Sequence, residues 1–286
     1  ASGGPAMSES AMPSAAHRAA AHAGIATARQ RAALLLLGLI VLSVLLAGLG
    51  ASVGSTGFDS VLRLADDPLA ARIVWDIRLP RSLGAWLAGA LLGLSGAVAQ
   101  GLFRNPLAEP FLLGSASGAS LGVAAALALF GAAPATAWLA KLGLTGAAFV
   151  GAVVAVLLTL QLARGVQHTL RLLLAGVIVG VVLGAIKDLI TLASPDIIAA
   201  MQGFNLGSAG FIGWASCVLM LLAWCVCMAG AWVFSRALDG LSLGESTAAS
   251  LGLPLVPMRV ALVAVLALST GTAVAQTGLI AFVGLA

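Results

Sequence analysis

The chain has no tyrosine, three histidines, three cysteines and few charges; charged residues make up 8% of its 286 positions, against about 25% in a typical soluble domain. Each shortage excludes something. His17, His22 and His168 are scattered and no H-E-x-x-H pattern occurs, so no zinc-hydrolase site is predicted. Lys141 and Lys187 are the only lysines and neither follows a glycine, so no phosphate-cradling Walker loop exists and the chain hydrolyses no nucleotide by itself. Cys217, Cys225 and Cys227 share one apolar run, where a disulfide framework or metal site would need polar loops and matched spacing; they read as small buried hydrophobes. The net charge of +4, from 14 basic and 10 acidic residues, is diffuse. Without a basic run, no nucleic-acid partner is expected. No cofactor or metal set is legible.

Apolar residues are what the chain does have: 61% of it is hydrophobic, with mean hydropathy +1.11. Seven runs are long enough to span a bilayer, at Ala32–Val53, Leu83–Phe103, Leu112–Ala132, Ala137–Ala163, Leu170–Ala193, Ile212–Phe234 and Met258–Thr277. The fold class read from them is all-α, a polytopic transmembrane bundle. Residues 1–31, rich in Ala, Ser, Gly and His, read as a disordered cytoplasmic tail, and 32–286 as the membrane domain. The chain stops within a further apolar segment after Thr277, which reads as an incomplete domain. With the N-terminus inside, Arg18, Arg29, Arg31, Arg104, Arg164, Arg171, Arg236 and Arg259 lie on the cytoplasmic side and Arg63, Arg72, Arg78, Arg81, Lys141 and Lys187 outside. That bias has the expected sign but is weak, which makes the outer arginines an anomaly.

Three local patterns stand out. Arg78-Leu-Pro-Arg81 opens one run, with Pro80 as a helix-start signal and the two arginines predicted on one helix face. At the other end of that run, Asn105-Pro-Leu-Ala-Glu-Pro110 is a polar turn bracketed by prolines. Further on, Ser242 and Glu245 have capping-box spacing, with Gly252 and Pro254 as stop signals, predicting a short helix near 241–255 that either packs on its own bundle or docks into another subunit. Glycines recur every fourth residue at Gly89/Gly93, Gly114/Gly118/Gly122 and Gly176/Gly180/Gly184, which predicts close helix packing; a smooth permeation wall is the alternative for the last stripe. Lys187 and Asp188 read as a local interfacial ion pair.

In this order, Arg78-Leu-Pro-Arg81, Leu94-Ser-Gly-Ala-Val-Ala-Gln100, Phe103-Arg-Asn-Pro-Leu-Ala-Glu-Pro110, Leu113-Gly-Ser-Ala-Ser-Gly-Ala119, Leu243-Gly-Glu-Ser-Thr-Ala-Ala-Ser-Leu-Gly252 and Gly278-Leu-Ile-Ala-Phe-Val-Gly284 resemble the permease subunit of type II ABC importers for iron-siderophores, haem and vitamin B12. The resemblance covers about residues 32–286. It implies a bacterial inner-membrane protein with about seven to eight of ten spans present. It also implies a second permease subunit, two copies of an ATP-binding subunit and a periplasmic substrate-binding protein. Arg78 and Arg81 then match positions that dock the binding protein, and Asn105 and Leu107 match the cytoplasmic gate. Leu243, Gly244, Glu245, Ser246, Ala248, Leu251 and Gly252 match the helices that couple to the ATPase. Two departures are Phe111 where glycine is commoner and the absence of a proline-histidine segment after the last motif. An ion-coupled carrier, or a truncated subunit that transports nothing, are the rival expectations. Neither motif nor composition selects a substrate.

Overall fold

The computed structural model describes residues 15–52, 68–131, 138–163, 169–242, 244, 248, 250, 252 and 254–285. Every regular element among them is helical, and six of the helices are long and apolar enough to cross a membrane. Two units emerge, Ala1–Leu49 and Gly50–Ala286. Most of the first is helix α1, Ala15–Ser52. From Leu34 to Leu49 its large apolar side chains are exposed all round, a surface suited to lipid rather than water. The tail expected to be disordered over 1–31 is therefore helical from Ala15; its alanines carry the highest helix propensity.

In the second unit a helical path starts at Pro68. Helix α2, Pro68–Ile73, passes through a π-turn, Val74–Arg78, into α3, Leu79–Phe103. Pro80 stands in the first turn of α3, as expected of a helix-start signal, but the helical path runs on upstream of it through the π-turn. A proline there lacks an N–H and its ring presses on the carbonyl four residues back. The wider turn, closed by Leu79 N–H donating to Val74 O, relieves that pressure. In the i→i+5 pattern Trp75 O would look to the missing Pro80 N–H; the Trp214 indole N–H supplies it instead at 3.0 Å. The two indole rings lie 5.2 Å apart.

The chain continues through α4, Ser115–Phe130; α5, Trp138–Leu162; α6, Thr169–Ala193; α7, Ile198–Leu206; α8, Trp214–Val233; α9, Ser235–Ser242; and α10, Leu255–Thr277. The run expected over Leu112–Ala132 splits into a 3₁₀ turn, Pro110–Leu113, and the 16-residue α4, which alone reaches only about 24 Å. Helix α7 was not expected. Helices α3 and α10 are central: Leu102, Leu262, Leu266 and Leu172 of α6 form one buried cluster, and Leu87, Leu91, Met220 of α8 and Ala273 a second. A second indole pair, Trp86 and Trp224 at 6.3 Å, joins α3 to α8 on the outside of that cluster.

The glycine stripes divide. A methyl added at Gly118 would overlap the Gly151 carbonyl oxygen, one at Gly122 the Ala147 oxygen, and one at Gly151 the Gly118 oxygen. The α4 and α5 backbones therefore touch, as predicted, because apolar lipid gives helices no hydrophobic reason to pair and close van der Waals contact replaces it. In the third stripe Gly176 meets the Leu112 carbonyl, whereas Gly184 meets nothing within 4 Å; nor do Gly89 and Gly93.

Candidate functional site

The second unit has two ends, named here by Arg81 and Asn105. At the Arg81 end, Arg78 is buried, with 8% exposure, and its Nη1 donates to the Ser52 carbonyl at 3.1 Å. Arg81 is exposed. The two arginines, three residues and so about 60° apart around the helix, differ in their surroundings: Arg78 is turned into protein and Arg81 stands out. The helix also begins ten residues upstream, so neither arginine sits on its positive dipole end. A cavity of about 470 Å³ lies nearby, between α4, α5, α7 and the end of α10, with Gln276, Phe204 and Leu127 in its wall. Lys187 and Asp188 are paired, Nζ to Oδ1, at 2.6 Å.

At the Asn105 end, α3 closes on Arg104, whose φ of 50° is left-handed and costs a non-glycine residue about 1–2 kcal/mol. That turn lets Asn105 fold back: its N–H donates to Gln100 O at 3.1 Å and its Oδ1 accepts the Leu107 N–H at 2.9 Å, an Asx turn. Leu107 is left 76% exposed. The chain then dives into the bundle as the 3₁₀ turn. Irregular backbone at membrane depth must be satisfied by protein or lie against a water-filled cavity. Thr159 Oγ1 donates to Leu113 O at 3.0 Å, and Gly176 leaves room for the Leu112 carbonyl.

A second irregular segment meets this turn. After Gly278 (φ 73°), residues 279–284 run from Phe204, whose carbonyl accepts the Leu279 N–H at 3.0 Å, back along α3. There Gly284 lies against Gly96, where a methyl would overlap the Gly284 oxygen, and against Pro110. Gln100 Nε2 donates to Gly284 O at 3.2 Å, and the Glu109 carboxylate accepts the Phe282 N–H at 3.0 Å. Phe282, with φ of 68°, is the other left-handed non-glycine residue described. Thus four of the motif stretches singled out in the sequence converge on one junction. Gln100, Glu109 and Phe282 had been given no role; Glu109, the one carboxylate between the two prolines, was the available signal.

Residues matching the coupling helices are only partly described. Ser242 is the last residue of α9, and Leu238 of that helix packs against Gly101. Gly244 and Gly252 have positive φ. Ala248, whose N–H donates to Gly244 O at 2.9 Å, is fully buried within the chain. Leu243, Glu245, Ser246 and Leu251 lie outside the described residues, and with Glu245 the capping box.

The FecCD transport family model matches residues 34–286. The chain belongs to that family. Curated relatives include the vitamin B12 import system permease proteins BtuC of Escherichia coli (strain K12 / DH10B) and Shigella boydii serotype 18, each 41% identical over 224 residues. The matches cover 76% of this FecCD-family chain and 65% of each relative's length. A solved chain described as an inward-facing metal-chelate type ABC transporter matches with TM-score 0.77 and 27% identity, covering 88% of this chain and 78% of that one.

Proposed function

We propose that the chain is the membrane-spanning permease subunit of an ATP-driven importer in a bacterial inner membrane, moving a bulky metal chelate, with a corrinoid as the first candidate. The observation that carries this reading is the family match over 34–286 joined to 41% identity with B12 permeases. ATP hydrolysis belongs to a separate subunit present twice, and a second permease copy completes the path. The N-terminus faces the cytoplasm. The Arg81 end then meets a periplasmic binding protein, with exposed Arg81 as the docking charge. The Asn105 end carries the gate, at Asn105 and Leu107, and residues 243–252 engage the ATPase. The permease contributes no chemistry; it offers its partners two bundle arrangements whose populations they shift.

The test is uptake by proteoliposomes holding the permease, its ATPase and its binding protein. Labelled cobalamin should enter with ATP and stop with vanadate, while a protonophore has no effect. Entry of ferric siderophore or haem alone would reassign the substrate. Protonophore-sensitive uptake without ATP would replace the reading with an ion-coupled carrier.

A further inference from the structure

We propose that Glu109 is a positioning residue that joins the Leu107 turn and the Phe282 segment into one moving gate; this rests on the importer reading above. Two exposed large apolar side chains, Leu107 and Phe282, sit on irregular backbone. They come from segments far apart in the chain, and one hydrogen bond ties the segments: Phe282 N–H to Glu109 Oε1 at 3.0 Å, across 173 residues. Arg104 and Phe282, the two left-handed non-glycine residues described, stand one at each side of that tie. Such conformations persist only where surroundings over-determine them, and they cluster at switch regions. Here the determinants are polar and few. Gln100 Nε2 fixes Gly284 O, Asn105 Oδ1 fixes Leu107 N, and Glu109 bridges the two groups. Gly284 packs closely on Gly96 of α3 and on Pro110 of the turn, so the segment lies against both. A shift of the turn is therefore passed to Phe282 through the carboxylate. An ionised acceptor makes the bond roughly twice as strong as a neutral one, and the amide of glutamine keeps an acceptor oxygen in the same place.

The experiment uses the assembled permease–ATPase complex in lipid nanodiscs. Hydrogen exchange over residues 280–285 in Glu109→Ala should rise about tenfold or more, the scale of losing a bond to a charged group, and the ATP hydrolysed per substrate imported should rise with it. Glu109→Gln should restore most of both. Unchanged exchange in Glu109→Ala would overturn the proposal; so would raised exchange with unaltered coupling, or Glu109→Gln behaving like the alanine variant. If Glu109→Ala does not assemble, the decision falls to Leu107→Cys/Phe282→Cys in a background lacking the native cysteines. Cross-linking of that pair by a flexible bis-maleimide should give the same yield in nucleotide-free and vanadate-trapped states, because the two residues move together; a state-dependent yield overturns it. If the wild-type complex imports no chelate or corrinoid, the importer reading fails, while exchange and cross-linking still decide the tie.

Discussion

Arg78 is buried against the Ser52 carbonyl and Arg81 stands in solvent, so the same substitution should act on different quantities at the two positions. Arg81→Glu is expected to slow association with the proposed binding protein and flatten its salt dependence while leaving the unfolding midpoint in place. Exposed ion pairs contribute about 0.2–1 kcal/mol and steer encounter more than they tighten it. Arg78→Ala is expected to lower the midpoint instead, since a hydrogen bond from a charged group contributes about 1.5–3 kcal/mol. Binding kinetics at two ionic strengths, with thermal unfolding on the same samples, separate the two. An Arg81 variant with unchanged association at low salt would reduce that residue to a lipid anchor. Ala248 shows the same need to look at surroundings: being fully buried, it is expected to report on packing, so Ala248→Glu should impair assembly before it reaches ATPase coupling.

At the scale of elements, the α4–α5 contact and the α3 stripe make opposite predictions from one pattern. Gly118→Leu or Gly151→Leu is expected to destabilise the permease by about 1–3 kcal/mol or more, the usual cost of overpacking, because both positions meet carbonyl groups of the facing helix. Gly89→Leu and Gly93→Leu, which meet nothing within 4 Å, are expected to leave the stability of the single subunit unchanged. Thermal unfolding in detergent checks both. The sequence could show the stripes but not which had a facing helix, since a stripe carries no information about its partner. The apolar spans were legible for the opposite reason: length and hydropathy are local. The π-turn was not, because Pro80 signals a helix start equally well, and the group that completes the turn, Trp214, lies 139 residues away. The junction behaves likewise. Its motif stretches were visible one by one, but the tie between Glu109 and Phe282 is a tertiary pairing that no spacing rule encodes.

For the whole molecule, the proposed topology places the loop before α2 and helix α9 on opposite sides of the membrane. In a background without Cys217, Cys225 and Cys227, Ala65→Cys is expected to react with an impermeant maleimide added outside, and Arg236→Cys, at an exposed position of α9, only after permeabilisation. Labelling of both from one side would overturn the assignment of ends on which the gate and docking roles depend. The same topology explains why so much apolar surface is outward: α6 exposes Leu174, Val177, Ile178, Val181 and Val182, the kind of surface that only lipid or another subunit can accept.

The indole pairs have an optical consequence. With no tyrosine and six tryptophans, the near-ultraviolet signal of this chain comes from indoles with little background, and four of the six sit in two pairs at 5.2 and 6.3 Å. Rings that close share their excited states. Both pairs end on α8, one at its first residue and one ten residues along, so a tilt of α8 would unequally alter the two couplings and a pure slide would alter both. Circular dichroism of unlabelled permease, recorded with Trp75→Phe and Trp224→Phe as references, therefore offers an internal goniometer for that helix.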